Sequence, residues 1–359
     1  MGEAWPGVLD LRLKDYFGRI LKVVQTRNAR IAISAGLIAL LLAKLDLSRT
    51  VSSLVSVRTD FLIASLATFA ASLVLGNVQW LMLLFLQGVR LTFGKTLSFY
   101  FVGAFFNNFL PANIGGDIVR IYDVYKESRM PDQAIAATVT DRLFGMVALG
   151  LLAMPSGLYV ALRYERVGLG RAFGLWSLVI VVAFIVILGL TSAVIFSKRL
   201  ARGLGRLLRP LLAGGLRDRF KRVYESFHTY RTTIRNLPGI LLVAIIVQAL
   251  RVLVHYEISE AMGLAIPAVY FFLFVPVIAI FIALPISIGG LGVREGLGIF
   301  FFCRAVPGVG SEQAFTMGFL AYVVGVVVSL AGGVIYLTRG LAPAQIEREL
   351  ERGRTPDAD

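Results

Sequence analysis

The chain has 359 residues, 57% of them hydrophobic and only 16% charged, with a mean hydropathy of +0.78; soluble domains average about 25% charged residues, so a soluble enzyme is excluded and a polytopic membrane protein is described. The formal charge of +14 resides on lysines and arginines that gather beside apolar stretches, where they meet anionic lipid headgroups rather than nucleic acid. One cysteine, Cys303, excludes an intrachain disulfide and a multi-cysteine metal site.

In chain order, residues 1–30 are mixed and basic, lack the short apolar core and cleavage site of a signal peptide, and are expected in the cytoplasm. A spanning helix needs about 20 apolar residues. Segments 31–48, 60–87, 134–160, 173–196, 238–262 and 312–338 qualify as full crossings. Two more apolar stretches, 96–110 with 115–128 and 268–284 with 295–306, are each broken into short arms by a Pro/Gly motif. They are predicted as re-entrant hairpins, because non-helical backbone at membrane depth survives only inside protein or beside a wet cavity. Residues 198–237 hold eleven lysines and arginines against Asp218 and Glu225 and are predicted to lie on the membrane surface. A polar cytoplasmic tail fills 341–359. The membrane domain thus covers 31–340, with repeat halves 60–160 and 238–340 joined by helix 173–196 and the basic segment 198–237.

The halves are called repeats because residues 110–120, LPANIGGDIVR, match residues 284–294, LPISIGGLGVR, at Leu, Pro, Ile, Gly, Gly, Val and Arg. A helix does not pass undisturbed through Pro and Gly-Gly. Two interrupted hydrophobic segments at corresponding positions point to the midplane binding site of a transporter.

The positive-inside rule orients the chain. With the amino terminus inside, the inner segments carry six basic residues in 1–30, five in 88–95 and 120–133, eleven in 198–237 and four from Arg339 on. The outer loops carry Arg49 and Arg58, then Arg163, Arg166 and Arg171, then Arg304. Three crossings separate the hairpins, so they enter from opposite faces. The expected fold class is an all-α polytopic membrane protein of six transmembrane helices and two re-entrant hairpins arranged as an inverted repeat, in a prokaryotic-type cytoplasmic membrane with both termini cytoplasmic.

Ionisable side chains inside a bilayer are functional candidates by default. Arg120 and Arg294 close the repeated motifs after Gly115-Gly116 and Gly289-Gly290, where helix N-termini aimed inward favour an anion such as a phosphate headgroup. The alternative is that Gly-Gly permits a tight turn and each Arg snorkels or pairs with Asp117, Asp123 or Glu295. Asp117 and Glu295 sit in the first turn of their arms, as helix caps or as substrate groups. Asp141 and Arg142 are neighbours about 100° apart on a helix, so one reaches toward Arg120 or the cavity. Arg251 and His255, four apart, share a face placed on the cavity wall. Asn107, Asn108 and Asn113 either line that cavity or satisfy broken backbone. Gln79 and Trp80 read as packing residues. No Walker loop, dinucleotide fingerprint, catalytic triad or paired-cysteine motif is present, so no cofactor or metal is expected.

The run Phe106-Asn107-Asn108-Phe109-Leu110-Pro111, then Gly115-Gly116-Asp117, Arg120, Ala136-Ala137 and Asp141-Arg142, and later Pro285, Gly289-Gly290, Gly292 and Arg294-Glu295-Gly296, resembles the lysylphosphatidylglycerol synthase transmembrane family. That family includes the flippase half of the multiple peptide resistance factor, which moves aminoacylated phosphatidylglycerol between leaflets. The resemblance spans residues 31–340 and implies a lipid translocator. The factor's soluble aminoacyl-transferase domain is not expected to have a counterpart here, and other relatives accompany glycosylation of polyprenyl-phosphate carriers, so a lipid-linked sugar competes as cargo.

The expected activity is therefore a flippase or scramblase for a lipid with an anionic headgroup, driven without ATP and not an enzyme. The alternatives are a membrane-embedded transferase using Asp117, Asp141 or His255, or a non-catalytic partner of a separate lipid synthase or glycosyltransferase.

Overall fold

The computed structural model describes residues 57–109, 115–163, 234–283 and 290–338, with the single positions 179, 182, 186, 189, 230 and 287. The amino-terminal segment 1–30, the predicted span 31–48 and the tail 341–359 lie outside the described residues, as do most of 173–196 and of the basic segment 198–237.

Eight α-helices run through the described residues: α1 (Thr59–Leu86), α2 (Phe93–Phe109), α3 (Gly115–Ser128), α4 (Pro131–Arg163), α5 (Leu237–Ala261), α6 (Ala268–Ala283), α7 (Val293–Ala305) and α8 (Ser311–Thr338). Each begins and ends within a few residues of the apolar stretch that predicts it. Pro131 opens α4, and a proline lies in the first two positions of α5, where a missing N–H costs no internal hydrogen bond.

Helices α1, α4, α5 and α8 are long and apolar enough to cross a membrane. The other four have 17, 14, 16 and 13 residues, roughly 20–25 Å at 1.5 Å per residue and short of a hydrocarbon core about 30 Å thick. Ile63, Leu242, Val334 and Leu337 are more than half exposed on the outside of the bundle. Polar and ionised side chains are meanwhile buried within it, among them Asp117, Arg120, Asp141 and Glu295. This inversion of the soluble pattern suits a lipid surround.

The duplication extends to the packing. Exchanging α1–α4 for α5–α8 turns the contact of α2 with α8 into that of α6 with α4, and the contact of α4 with α5 into that of α8 with α1. The contacts within each half interchange in the same way, and α1 with α5 maps onto itself.

Helices α1 and α5 run antiparallel. The Arg58 N–H at the start of α1 donates to the carbonyl of Ala261 at the end of α5 (2.8 Å). The Thr68 hydroxyl donates to Glu257 (2.8 Å), while Leu83 near the end of α1 shares an apolar cluster with Ile240 near the start of α5. Short links, residues 87–92 and 262–267, lead from these helices into α2 and α6. The two broken pairs, α2 with α3 and α6 with α7, therefore enter the bundle from opposite ends.

Lipid supplies little drive for helices to associate, so close packing of small residues does the work. A Cβ on Gly116 of α3 would overlap the Gly103 carbonyl of α2, and one on Gly332 of α8 would overlap the Phe101 carbonyl. At Gly333 a Cβ would lie 2.8 Å from the Phe105 ring. Both faces of α2 are thus held backbone against backbone.

Candidate functional site

At the centre of the bundle all eight helices line one cavity of about 390 Å³. The intramembrane arginines converge on it: Arg120 from α3, Arg142 from α4, Arg251 from α5 and Arg294 from α7. Asp117, Asp141, His255 and Asn108 line it too.

In the first half these charges interlock. Asp117 Oδ1 accepts from Arg120 Nη2 at 2.9 Å, and its Oδ2 accepts from Arg142 Nε at 2.7 Å. Asp141 Oδ2 takes the same Arg120 nitrogen at 3.1 Å. Adjacency in sequence is what separates Asp141 from Arg142: turned apart on α4, one meets Arg120 and the other Asp117. Arg120, 5% exposed, also lies against the Trp80 and Tyr100 rings, at 5.0 and 5.2 Å from their centroids. Cation–π contact of this kind offsets part of the cost of burying a guanidinium.

The second half is built differently. Arg294 lies 5.4 Å from the centroid of the Tyr322 ring. Its neighbour Glu295 is fully buried and accepts the Gly292 N–H at 2.6 Å to cap α7. Gly292 and Gly290 have φ of +80° and +78°, a conformation open to glycine, which the Pro/Gly break predicts. Arg251 is half-buried and forms no ion pair among the described residues. His255 Nδ1 lies 3.0 Å from the Arg251 carbonyl; a carbonyl only accepts, so Nδ1 carries the proton and Nε2 is the remaining ring nitrogen.

Four arginines and two aspartates line the cavity, a surplus of two positive charges. Both aspartates are engaged by Arg120 and Arg142; in the second half Glu295, fully buried behind the lining, lies beside Arg294 in sequence, and Arg251 forms no ion pair among the described residues.

Of the residues singled out from sequence, Gly115, Gly116, Gly290 and Glu295 stand behind the lining. The first two are buried where α3 meets α2, and Glu295 takes the capping alternative. Asn107 accepts the Gly116 N–H at 2.9 Å, satisfying broken backbone, and also faces the cavity. Asn108 donates to Ser329 of α8 at 2.6 Å. Gly289 and Asn113 lie outside the described residues.

Sequence reading missed Tyr100, Tyr322 and Gln248, all in the lining. Gln248 precedes Arg251 by three positions and so shares its face, a signal that was available. The tyrosines sit in apolar runs that aim them nowhere in particular. Gln79, read as packing, lines the cavity and donates to the Asp141 carbonyl at 3.2 Å. Trp80 is a packing residue and donates to Thr138 at 3.1 Å.

Both broken helix pairs and the cavity fall within a match, over residues 28–352, to the family described as the lysylphosphatidylglycerol synthase TM region. The chain belongs to this family. It is similar to a UPF0104 membrane protein of Methanothermobacter thermautotrophicus, 23% identical over 302 residues that make up 77% of this chain and 83% of that protein. A UPF0104 membrane protein of Pyrococcus horikoshii is 24% identical over 140 residues, 38% of this chain and 42% of the relative. Membership and the four apolar helices make the chain an integral membrane protein.

Proposed function

We propose that the protein is a lipid translocase that passes an anionic headgroup through the central cavity while the acyl chains stay in the bilayer. The observation that carries this reading is the surplus of two arginines over aspartates in one cavity at the seam of the two halves. Positive charge in a bilayer is costly, and an anion that enters the cavity offsets part of that cost.

The antiparallel α1 and α5, and the entry of the short arms from opposite ends, support six crossings and two re-entrant hairpins related as an inverted repeat, the architecture of alternating access. Charge asymmetry of the loops favours cytoplasmic termini in a prokaryotic-type membrane. With no ATP motif in the sequence, exchange is passive or secondary. Of the groups a transferase would use as acid or base, Asp117 and Asp141 are held in ion pairs, which favours transport over that alternative. The cargo class is a phospholipid or lipid-linked headgroup bearing phosphate, and a separate lipid synthase or glycosyltransferase is the natural supplier.

Reconstitution in liposomes with fluorescent phosphatidylglycerol tests the activity. The expected result is leaflet exchange of chemically unchanged lipid. A new product by mass spectrometry would establish the transferase instead, and neither activity would leave the role of accessory partner.

Topology is tested by cysteine labelling in a Cys303→Ser background. Gly94→Cys at the start of α2 and Ala265→Cys before α6 are both exposed and should react from opposite sides of the membrane. Labelling from one side would end the inverted arrangement.

A further inference from the structure

Asp117 grips two guanidinium groups at once, one with each carboxylate oxygen, at 2.9 Å to Arg120 and 2.7 Å to Arg142. A phosphate uses its oxygens in the same way on a pair of arginines. We propose that Asp117 is a tethered competitor of the cargo's phosphate group: it holds the donors of Arg120 and Arg142 in reserve and yields them when the phosphate arrives from the Arg251 side of the cavity. This role presupposes the transport reading and adds the residue that sets how tightly the site holds its ligand.

Three observations support it. Arg120 already has a structural counter-ion in Asp141 at 3.1 Å, so keeping Arg120 paired does not require Asp117. The Arg142 side chain is 38% exposed and lines the cavity, within reach of a ligand, whereas Asp117, in the same lining, is only 11% exposed. Arg120 Nε is buried without a hydrogen-bond partner among the described residues, so this guanidinium has a donor left to give.

The duplication points the same way. Arg120 recurs as Arg294, but the position of Asp117 is Leu291 in the second copy, so only one half carries a carboxylate at this position of the motif. A carrier site must bind well enough to load and weakly enough to release. A carboxylate that re-forms its ion pairs as the phosphate leaves lowers the cost of release.

The test uses the full chain in detergent micelles, with dihexanoyl phosphatidylglycerol, dihexanoyl phosphatidylcholine and inorganic phosphate as probes. Asp117→Asn should bind phosphatidylglycerol about tenfold more tightly than the unsubstituted protein, the scale of a typical coupling between sites. In liposomes it should also exchange that lipid more slowly. Asp117→Glu, which restores the charge, should return affinity to within a few fold of the original. Asp141→Asn should lower the melting temperature without tightening binding.

If Asp117→Asn is unstable, preparing it with phosphatidylglycerol keeps it in hand. The lipid should then raise its melting temperature more than it raises that of the unsubstituted protein, because the phosphate takes the missing carboxylate's place. Unchanged or weaker affinity in Asp117→Asn, or no extra stabilisation by lipid, overturns the competitor role while leaving transport standing. No binding of phosphatidylglycerol or phosphate by any form, together with no exchange, overturns transport as well. Equal competition by inorganic phosphate assigns the site to free phosphate, whereas competition by phosphatidylglycerol alone assigns it to the lipid headgroup.

Discussion

Arg294→Ala is expected to lower leaflet exchange by about tenfold or more, the scale of losing charge-assisted hydrogen bonds worth roughly 1.5–3 kcal/mol, while the protein stays folded. Glu295 keeps its bond to the Gly292 N–H when the arginine is gone, and an arginine removed takes its desolvation cost with it. The same change at the duplicated position has a different outcome. Arg120→Ala strips Asp141, 8% exposed, of its ion-pair partner, and breaking a buried pair costs about 3–5 kcal/mol. Two residues that look equivalent in the sequence thus separate into one that acts on the ligand and one that also holds the fold. Lys at position 294 should rescue in part, keeping charge without the planar fork. Exchange rate and melting temperature, measured side by side for both positions, decide it. Full exchange by folded Arg294→Ala would sink the anion site, and a silent Arg120→Ala would contradict the interlocked charges.

The second large effect is steric. Gly116→Ala and Gly332→Ala each place a methyl where a backbone carbonyl of α2 already stands. Helix backbone cannot step aside as a side chain does, so each should cost at least about 1–3 kcal/mol, the range for overpacking, and reduce the yield of folded protein. Gly296→Ala is the control. A Cβ there meets nothing within 4 Å, and Gly to Ala in a helix interior gains roughly 0.5–1 kcal/mol. Melting curves in detergent rank the three. Equal stability for Gly116→Ala and Gly296→Ala would mean that α2 and α3 do not meet as described.

The helices were legible because apolar length and the Pro/Gly interruption are local signals, and the boundaries of α1, α5 and α8 follow them to within a residue or so. Convergence of Arg120, Arg142, Arg251 and Arg294 was legible for a different reason: a charge that cannot face lipid has few other places to go. The pairing among them was not. That Asp117 and Asp141 both reach Arg120, while Arg142 reaches Asp117, depends on the rotation of α3 against α4, which no periodicity announces. Glu295 looked like a twin of Asp117, and differs because Gly292 offers it an N–H at hydrogen-bond distance. Tyr322 escaped notice because an aromatic in an apolar helix is ordinarily packing, and only an arginine from another segment turns its ring face into a platform.

The exchange of packing partners between the halves bears on the origin of the chain. Helix α2 rests on α8 and α6 rests on α4, so the broken pair of each half is held by the last helix of the other. Standing alone, one half would lose the long helix of the other against which its short helices pack, α8 for α2 and α4 for α6. On the inverted arrangement proposed above, an ancestral chain of half this length would have worked as two copies inserted in opposite senses, joined along the antiparallel seam that α1 and α5 now occupy. Fusion into one polypeptide would then have freed the copies to diverge, so that a carboxylate could be kept at position 117 without being imposed at position 291.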